Sequence, residues 1–515
     1  MSMDATVMGG EQAMCILTAD VGTTSVKVCL FDGDLKLLRA AALEYALDYA
    51  PGGIVEADPA VYLNAVGEGI RRVLAGGPSA PVAAISVTTQ GETLIPVDDS
   101  GRPLCNAIVW LDSRAQEEAK ELAAWIDGGL FYSTTGLPEI GPGLPLAKLM
   151  HIRRKQTELY ARTHKFLLLE DYILFWLTGR FVTEKSLLCS TGYFNIIEDR
   201  YWDAALEAAG IDPAKLPQAL LCGEPVGPLT GQRAAELGLS PGTLAVSGAM
   251  DQTAAALGSG CVREGIVTET TGTALVVAAH TARPRFTDPS RVTVYRHAID
   301  GAYLYLPIGV TAGMTLKWFR DRFCQDIAPA GDGSYGGMTA LAAQVPPGSC
   351  GLLALPHLAG CVNPDWNPDA RLVFFGASLD TERGHFIRAI LESVAYMLRD
   401  FTAMLGGLGI GVAEIRSLGG GARSELWEQI KADVTGVPLC TMDMPEAASA
   451  GAAVLAAWAL GLVPRGSAPP VMKPAKRYQP QQANKETYEH GYCRYRELYK
   501  ALKPLFQTNG GNTDA

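Results

Sequence analysis

The stretch "TADVGTTSVKVCLFDGD", which begins at Thr18, combines a carboxylate, a glycine, hydroxyl side chains and a lysine. An apolar run ends on Asp20, and Gly22, a row of hydroxyl residues and Lys27 follow it. Glycine permits close approach of the backbone, and successive N–H and hydroxyl donors in a turn can wrap an anion. These residues therefore predict a turn that binds an anion such as phosphate, with Asp20 at the end of the preceding strand.

A second stretch, "AVSGAMDQTAAALGSG", places Asp251 where a buried strand meets a helix of small residues. Aspartate is among the best residues for capping the beginning of a helix, so Asp251 is interpreted as an N-cap on one hypothesis. On the other, a carboxylate at the end of a strand accepts a proton from a substrate hydroxyl. Both interpretations stay open at this point.

A third stretch, "TTQGETLIPVDDSGRPLCNAIVWLDSRA", gathers polar residues around two strand ends, namely Gln90, Glu92, Trp110, Asp112 and Arg114. A polyhydroxylated ligand needs a donor or acceptor for each of its hydroxyls, and such a cluster can supply them. Asp112 also precedes the predicted helix "SRAQEEAKEL", so a capping role for it is equally compatible with the sequence.

A glycine cluster, "SLGGGARSELWEQI" from Ser417, follows an apolar-ended strand and precedes a helix that is predicted to open at Ser424. Three consecutive glycines at a strand-to-helix junction allow close approach to a ligand, and the beginning of a helix favours a negative group. Contact with a nucleotide and a flexible turn are the two alternatives. The pattern is not GxGxxG and lacks the acidic ribose ligand, which argues against a dinucleotide-dependent oxidoreductase.

The elements that carry these residues alternate between strands and helices. Residues 26–31 alternate as in a strand, and Asp32 to Asp34 form a hairpin-turn signal. "EGIVTETTGTALVVAAH" from Glu264 repeats this plan, with its polar turn predicted at Thr270 to Thr273. The chain is therefore predicted to contain two similar halves, each with one phosphate-facing hairpin.

Two further segments, 82–90 and 242–250, are predicted to be buried strands, and "SRAQEEAKELAAWI" and "GHFIRAILESVAYMLRDFTAML" to be helices. This alternation favours α/β sheets covered by helices. The polar end of the chain, "QTNGGNTDA", is predicted to be disordered.

Composition narrows the classes of protein. The chain has 515 residues, 48% of them hydrophobic, and a net charge of −11 without a run of Lys or Arg, so nucleic acid and anionic membranes are poor candidates for partners and none is predicted. No apolar segment approaches the roughly 20 residues that span a bilayer, and the N-terminus lacks the pattern of a signal peptide. Eleven cysteines occur singly and without a CxxC pair, as is typical of reduced thiols in a cytoplasmic protein.

These motifs, in their order along the chain, resemble those of the FGGY carbohydrate kinases of the actin-like ATPase superfamily. "DVGTTSVK" looks like the first phosphate motif of that family, "GAMDQTAAALGSG" like its catalytic-aspartate segment, "TETTGTA" like its second phosphate motif and "GGGARSELW" like its adenosine motif. "HFIRAILES" is similar to the core of the second signature, with Ala377 beside Gly376 as a minor departure. The resemblance extends from about Cys15 to about Tyr478.

The resemblance implies an α/β fold of two actin-like, or ribonuclease H-like, domains, each a mixed sheet flanked by helices, with the active site in the cleft between them. The domains expected are 13–259 for sugar and phosphate binding and 260–480 for nucleotide binding, followed by a C-terminal helix and disordered tail over 481–515. The partner implied is a small sugar, and a homodimer is common among relatives.

The resemblance also implies a role for individual residues. Asp251 matches the general base, for which an ordinary carboxylate suffices because a hydroxyl gives up its proton late in phosphoryl transfer. Asp20 would hold Mg²⁺ directly or through water. The expected substrate-binding residues are Gln90, Gly91, Glu92, Trp110, Asp112 and Asp251. The expected ATP-binding residues are Gly22, Thr23, Thr24, Lys27, Gly272, Thr273, Gly313, Lys317, Gly420, Gly421, Ala422 and Arg423.

The sugar is predicted from the residues after Gln90. Xylulokinases usually carry Met-His where this chain has Gly91-Glu92, and glycerol kinases carry Arg-Glu-Thr. Glu92 can accept two hydroxyls, and Gly91 is expected to leave space where a guanidinium would sit, so a substrate longer than glycerol is favoured. A pentulose such as D-xylulose is the prediction, and a polyol such as glycerol or erythritol is the alternative. A further alternative is a non-catalytic regulator that binds sugar and ATP.

Overall fold

The computed structural model describes residues 14–287, 291–327, 335–443, 446–467 and 472–506. In chain order the strands are β1 Cys15–Val21, β2 Ser25–Asp32, β3 Leu37–Glu44, β4 Asp48–Ala50, β5 Ile54–Ala57, β6 Val82–Thr89, β7 Leu94–Val97, β8 Ala107–Ile108, β9 Lys165–Leu168, β10 Val182–Glu184, β11 Phe194–Asn195, β12 Arg200–Tyr201, β13 Gln218–Leu220, β14 Pro225–Pro228, β15 Leu244–Met250, β16 Gly265–Thr271, β17 Leu275–Thr281, β18 Val294–Arg296, β19 Tyr303–Tyr305, β20 Ile308–Gly309, β21 Leu353–Leu355, β22 Val373–Phe375, β23 Val412–Leu418, β24 Leu439–Met442 and β25 Pro474–Tyr478.

The α-helices, again in chain order, are α1 Pro59–Leu74, α2 Gln116–Trp125, α3 Gly128–Thr135, α4 Pro145–Lys155, α5 Thr157–Arg162, α6 Leu169–Thr178, α7 Lys185–Leu188, α8 Asp203–Ala209, α9 Gly231–Leu237, α10 Asp251–Gly258, α11 Gly313–Phe323, α12 Tyr335–Ala343, α13 Arg383–Gly407, α14 Glu425–Thr435, α15 Ala447–Ala459 and α16 Lys485–Phe506. No helix among the described residues is long and apolar enough to cross a bilayer.

The chain divides into two compact units. Unit 1 comprises the described parts of Met1–Ile126, Ile140–Gly258 and Ala448–Val471. Unit 2 comprises the described parts of Asp127–Glu139, Ser259–Ala447 and Met472–Ala515.

Unit 1 is built on a six-stranded sheet in the order β14-β15-β6-β1-β2-β3. Strands β1, β2 and β3 pair antiparallel, β6 and β15 continue the sheet in parallel with β1, and β14 closes it antiparallel. Helix α1 covers β2 and β3; it begins after Asp58, whose carboxylate accepts the N–H of Ala60 at 2.9 Å. A Cβ at Gly69 of α1 would lie 2.5 Å from Val28 Cγ2, so the helix packs closely on the sheet.

Unit 2 repeats this arrangement in its main sheet. In the strand order β19-β17-β16-β23-β24-β25, the first three strands pair antiparallel, the next two follow in parallel and the last is antiparallel. Each position has its counterpart in unit 1, so the predicted internal repeat and mixed sheets are confirmed. The second hairpin turns later than predicted, because Thr270 and Thr271 still pair with Val276 and Leu275 in the ladder.

Other predicted elements differ from the structure only at their ends. Helix α2 begins at Gln116, and its first residue follows Ala115, which makes no side-chain cap. Helix α14 begins after Ser424, whose hydroxyl accepts the N–H of Trp427 at 3.3 Å, so the predicted opening is confirmed. The polar end of the chain, which is predicted to be disordered, and the N-terminal segment, which lacks the pattern of a signal peptide, lie outside the described residues.

Candidate functional site

Three parallel strands of unit 1 end side by side and bring Gly22, Gln90 and Asp251 to one edge of the sheet. Val21 of β1 and Met250 of β15 both stand opposite Thr89 of β6. The N–H of Gln90 donates to the carbonyl of Val21 at 3.1 Å. Because Gly22, Gln90 and Asp251 are the next residues after these strand ends, the phosphate-turn, sugar and base predictions converge on one place.

The first hairpin is tightly closed. Asp20 pairs with Lys27 across β1 and β2, and the N–H of Gly22 donates to Ser25 O at 2.9 Å. The Tyr45 hydroxyl donates to Gly22 O, and the Tyr45 N–H donates to Thr24 O at 2.9 Å. Burial raises the pKa of Tyr45 far above its ordinary value, so its hydroxyl stays protonated. Thr24 is exposed at the tip, as a phosphate contact requires.

Trp110 meets this hairpin. Its indole Nε1–H donates to Thr23 Oγ1 at 3.0 Å, although the residue is 39% exposed. A hydroxyl has one proton, so an oxygen that accepts from the indole still has its own O–H to donate. The contact therefore leaves Thr23 with a donor for a phosphate oxygen, and it joins the predicted sugar residue to the predicted phosphate turn.

Gln90 is buried to 5% exposure, yet neither its amide oxygen nor its amide nitrogen has a hydrogen-bond partner among the described residues. Buried amides are almost always paired, and an unpaired one costs about 1–3 kcal/mol. An amide that offers both a donor and an acceptor suits a ligand that carries hydroxyl groups.

Glu92 follows in a left-handed backbone conformation, with φ of 58°. Burial raises the pKa of Glu92 to about 7; Lys148 opposes this rise, whereas Asp251 adds to it. Lys148 is 1% exposed, and its ammonium donates to Val109 O at 2.8 Å and to Glu92 O at 3.4 Å. Burial lowers the pKa of Lys148 to about 8. The buried Lys148 and the half-buried Glu92 and Asp251 thus form one cluster of ionisable groups with shifted pKa values, as is typical of functional sites.

The expectation that Gly91 leaves space is wrong. A Cβ at Gly91 would lie 2.7 Å from Ser190 Oγ and 3.1 Å from Ser190 Cβ, so Ser190 fills the volume that a side chain would need. A side chain at position 91 would therefore require Ser190 to move.

Asp112 is fully buried, and both of its oxygens accept hydrogen bonds from protein. Val55 N donates at 2.8 Å, and the Arg114 guanidinium donates at 2.7 Å to the same oxygen and at 2.9 Å to the other. These bonds hold the pKa of Asp112 below its ordinary value against the effect of burial. The capping alternative is wrong, because Asp112 lies three residues before the Ala115 N-cap position of α2. Arg114 also pairs with Glu56 at 2.6 Å, so this group ties the loop to β5.

Asp251 is the first residue of α10, and its Oδ1 accepts the N–H of the next residue, Gln252, at 2.6 Å. This bond differs from an N-cap bond, which reaches the second or third residue of the helix. Burial raises the pKa of Asp251 to about 6, against the effect of the bonds from Gln252. The expectation of an ordinary carboxylate is therefore revised: the group is a stronger base than a solvated aspartate and is still ionised at neutral pH.

Unit 2 places the second hairpin on the beginning of α11. Gly313 N donates to Gly272 O at 3.0 Å, and Ala312 N and Met314 N donate to Thr273 O at 2.9 Å and 3.2 Å. A Cβ at Gly313 would lie 2.3 Å from Gly272 O, so this approach requires glycine. Further along α11, the exposed Lys317 pairs with Asp321 at 2.8 Å.

The glycine cluster packs mainly against protein. A Cβ at Gly419 would lie 2.9 Å from Thr271 O, and one at Gly421 would lie 2.7 Å from Thr271 Cβ, whereas Gly420 has no atom within 4 Å of its Cβ position. A 3₁₀ turn over Gly421–Arg423 includes Ala422 and leads to the cap at Ser424. The alternative of a flexible turn is disfavoured, since two of the glycines are needed to seat the turn on β16.

Two groups of functional interest were missed by sequence reasoning. Lys148 lies in the apolar run "PLAKLM" at the beginning of α4, where a lone lysine was the available signal. In unit 2, the fully buried Lys431 bonds to Glu269 at 2.6 Å and to Glu428 at 2.8 Å. Glu269 in turn accepts from the hydroxyl of Thr271 at 2.6 Å, at the end of β16. Glu428 and Lys431 are three residues apart on α14, but no local pattern links Lys431 to Glu269, because Glu269 lies on β16.

Two family models match the chain. The N-terminal domain model of the FGGY family of carbohydrate kinases matches residues 15–258, and the C-terminal domain model of that family matches residues 267–460.

Individual relatives have different substrates in their names. A gluconokinase of Bacillus subtilis is 31% identical over 87% of this chain and 88% of its own length. A glycerol kinase of Chromobacterium violaceum is 32% identical over 87% of this chain and 89% of its own length. The solved structure of a ligand-bound xylulose kinase from Lactobacillus acidophilus is similar with a TM-score of 0.88 and 26% identity, over 96% of this chain and 100% of that one.

Proposed function

Because the chain belongs to the FGGY family of carbohydrate kinases, we propose that it transfers the γ-phosphate of ATP to a hydroxyl of a pentulose such as D-xylulose, with Asp251 as the general base. The observation that carries this proposal is the cluster at the strand ends of unit 1. Asp251 there lies close enough to Glu92 to raise the pKa of Glu92, and the unpaired amide of Gln90 follows the neighbouring strand.

Asp251 accepts the proton of the attacking hydroxyl. With a pKa of about 6 the carboxylate is mostly ionised at neutral pH, yet it binds a proton more tightly than an ordinary aspartate. General bases work best when their pKa lies near the operating pH. The other residues position the acceptor: Gln90 offers a donor and an acceptor to hydroxyls, and Glu92 accepts from them.

The residues of the two hairpins bind the phosphates of ATP. In unit 1 the exposed Thr24 and the hydroxyl of Thr23 donate to phosphate oxygens, and Lys27 contributes charge. In unit 2 the Gly272–Thr273 turn and Gly313 hold the polyphosphate, and Gly420 to Arg423 with Lys317 flank the nucleotide. Such contacts suit phosphoryl transfer, which depends on positioning and on neutralising spread charge.

The residues fit magnesium at Asp20. Asp20 is a half-buried carboxylate at the end of β1, beside the predicted phosphate turn, and Mg²⁺ is usually bound by one or two carboxylates together with substrate phosphates. When bound, the ion would neutralise charge on the phosphates.

The choice of sugar depends on Glu92. A carboxylate beside Asp251 disfavours a substrate that carries its own carboxylate, such as gluconate, because like charges repel in a buried site. A neutral ketose or polyol is favoured instead. Since Ser190 fills the space beside Gly91, a polyol such as glycerol or erythritol remains the second candidate.

The test is sugar-dependent release of ADP from Mg²⁺-ATP, measured with D- and L-xylulose, D- and L-ribulose, glycerol, erythritol and gluconate. Release with a pentulose that exceeds release with the polyols supports the proposal. Release with glycerol or erythritol alone identifies the second candidate, and release with gluconate alone contradicts the argument from Glu92. ATP binding without release of ADP for any acceptor indicates a non-catalytic regulator that binds sugar and ATP.

A further inference from the structure

Strand β15 contains an extra residue just before it reaches Asp251. Val246 stands opposite Ser86 of β6, but Ala249 stands opposite Thr88, so Ser247 and Gly248 share the position of Val87. This is a β-bulge, which interrupts the ladder and re-aims the chain. A Cβ at Gly248 would lie 1.5 Å from Val87 O, so the bulge requires glycine.

The backbone groups around the bulge bond to side chains. Gly248 N donates to Glu170 Oε1 at 2.9 Å, and Met250 N donates to Ser186 Oγ at 3.0 Å. The hydroxyl of Thr88 donates to Ala249 O at 2.7 Å. Glu170, Ser186 and Thr88 are all fully buried, so side chains rather than water fix the last residues of the strand.

Ser186 is itself held in one orientation. Its hydroxyl donates to Glu184 Oε1 at 2.8 Å, and its N–H donates to Glu184 Oε2 at 2.6 Å. Because a serine hydroxyl has a single proton, the proton given to Glu184 leaves a lone pair for Met250 N. Glu184 also accepts from Leu187 N and from Cys222 Sγ, the latter at 2.9 Å, so its carboxylate is anchored on several sides.

The segment that contains Ser186 also contacts the turn that contains Gly91 and Glu92. Ser190, just after α7, fills the space beside Gly91, while Ser186 within α7 bonds to the residue before Asp251. Helix α7 and the residue Ser190 after it therefore connect the turn that contains Glu92 to the strand end that precedes Asp251.

We infer that Ser186, held by Glu184, is a positioning residue for Asp251 and fixes the distance from the base to the sugar hydroxyl. The inference rests on the proposed function, in which Asp251 is the base. A base displaced by about 1 Å can lose on the order of 100-fold in rate while the substrate still binds.

The test is Ser186→Ala, with Thr243→Val as the matched control. Thr243 is a buried residue that directly precedes the first residue of β15, and its hydroxyl donates to Val82 O at 2.9 Å. We expect kcat of Ser186→Ala to fall about 10- to 100-fold, with the KM values for sugar and ATP within about twofold of wild type. Thr243→Val removes a comparable bond but should keep the wild-type kcat. Glu184→Gln, which leaves one accepting oxygen for the four groups that donate to Glu184 and so loosens the hold on Ser186, should reproduce the fall in kcat if Ser186→Ala does not fold.

Equal kcat values for Ser186→Ala and Thr243→Val would overturn the inference, as would a rise in KM at unchanged kcat. Hydrogen exchange of the Met250 amide provides a readout that needs no kinase activity. Faster exchange in Ser186→Ala than in Thr243→Val supports the inference, and equal exchange contradicts it. A wild-type enzyme that phosphorylates no acceptor refutes the proposed function separately, and the exchange result then decides the role of Ser186.

Discussion

Asp251 is expected to reduce the stability of the folded chain at neutral pH, so its removal should be stabilising. Burial raises its pKa from an ordinary 3.8 to about 6. At about 1.4 kcal/mol for each pH unit, this difference corresponds to about 3 kcal/mol. The substitution Asp251→Asn keeps the shape of the side chain and an oxygen for Gln252 N, and it removes the half-buried charge. We therefore expect it to raise the free energy of unfolding by up to about 3 kcal/mol near pH 7.5.

The pH dependence has a defined sign. A carboxyl whose pKa is higher in the folded state binds its proton more tightly there than in the unfolded chain. The folded state therefore loses stability as the pH rises from about 4 to about 6, and the full penalty is present above that range. The advantage of Asp251→Asn should accordingly be largest above about pH 6 and should vanish near pH 4.

The assay is thermal unfolding of wild type, Asp251→Asn and Asp58→Asn at about pH 7.5 and about pH 4.5. Asp58 caps α1, and asparagine caps a helix about as well as aspartate, so this control changes a carboxylate without removing a buried charge. An increase of several degrees for Asp251→Asn at the higher pH, and little at the lower, is the expected result. A variant that is destabilised, or equally changed at both pH values, refutes the reasoning.

Three further predictions follow from the same contacts. The kcat/KM for sugar should fall about tenfold between about pH 7 and about pH 5, since Asp251 becomes protonated there; a flat profile measured over this range by ADP release contradicts this role. Trp110→Phe, which removes the N–H given to Thr23, should lower kcat several-fold with little change in sugar KM, and an unchanged kcat in the same assay would show that the contact is dispensable. Gly421→Ala should lower the thermal stability because its Cβ has no room beside Thr271, whereas Gly420→Ala should unfold at the wild-type temperature; equal unfolding temperatures of the two variants would refute the packing argument.

Much of the fold could be predicted because it is encoded locally. The alternation in residues 26–31, the polar turn that follows Asp20 and the cap at Ser424 are each determined by neighbouring residues. The internal repeat was visible since both hairpins join an apolar strand to a polar turn. The exact position of the second turn could not be predicted, because Thr270 and Thr271 are β-branched residues that still pair with the next strand.

The errors at the candidate site come from contacts between distant parts of the chain. Space beside Gly91 could not be judged without Ser190, which approaches from the segment after α7. The raised pKa of Asp251 depends on burial, which the adjacent sequence does not specify. Lys148 was overlooked for the same reason, since its partners Val109 and Glu92 lie on other segments of unit 1.

The central claim is that Asp251 acts as the base in phosphoryl transfer to a sugar. Its most direct test is ³¹P NMR of D-xylulose with Mg²⁺-ATP, comparing the wild type with Asp251→Asn and with the Asp58→Asn control. The account predicts a sugar phosphate monoester that forms at equal rates with wild type and Asp58→Asn, and about 10²- to 10⁴-fold more slowly with Asp251→Asn. A monoester that forms at the wild-type rate with Asp251→Asn would contradict it.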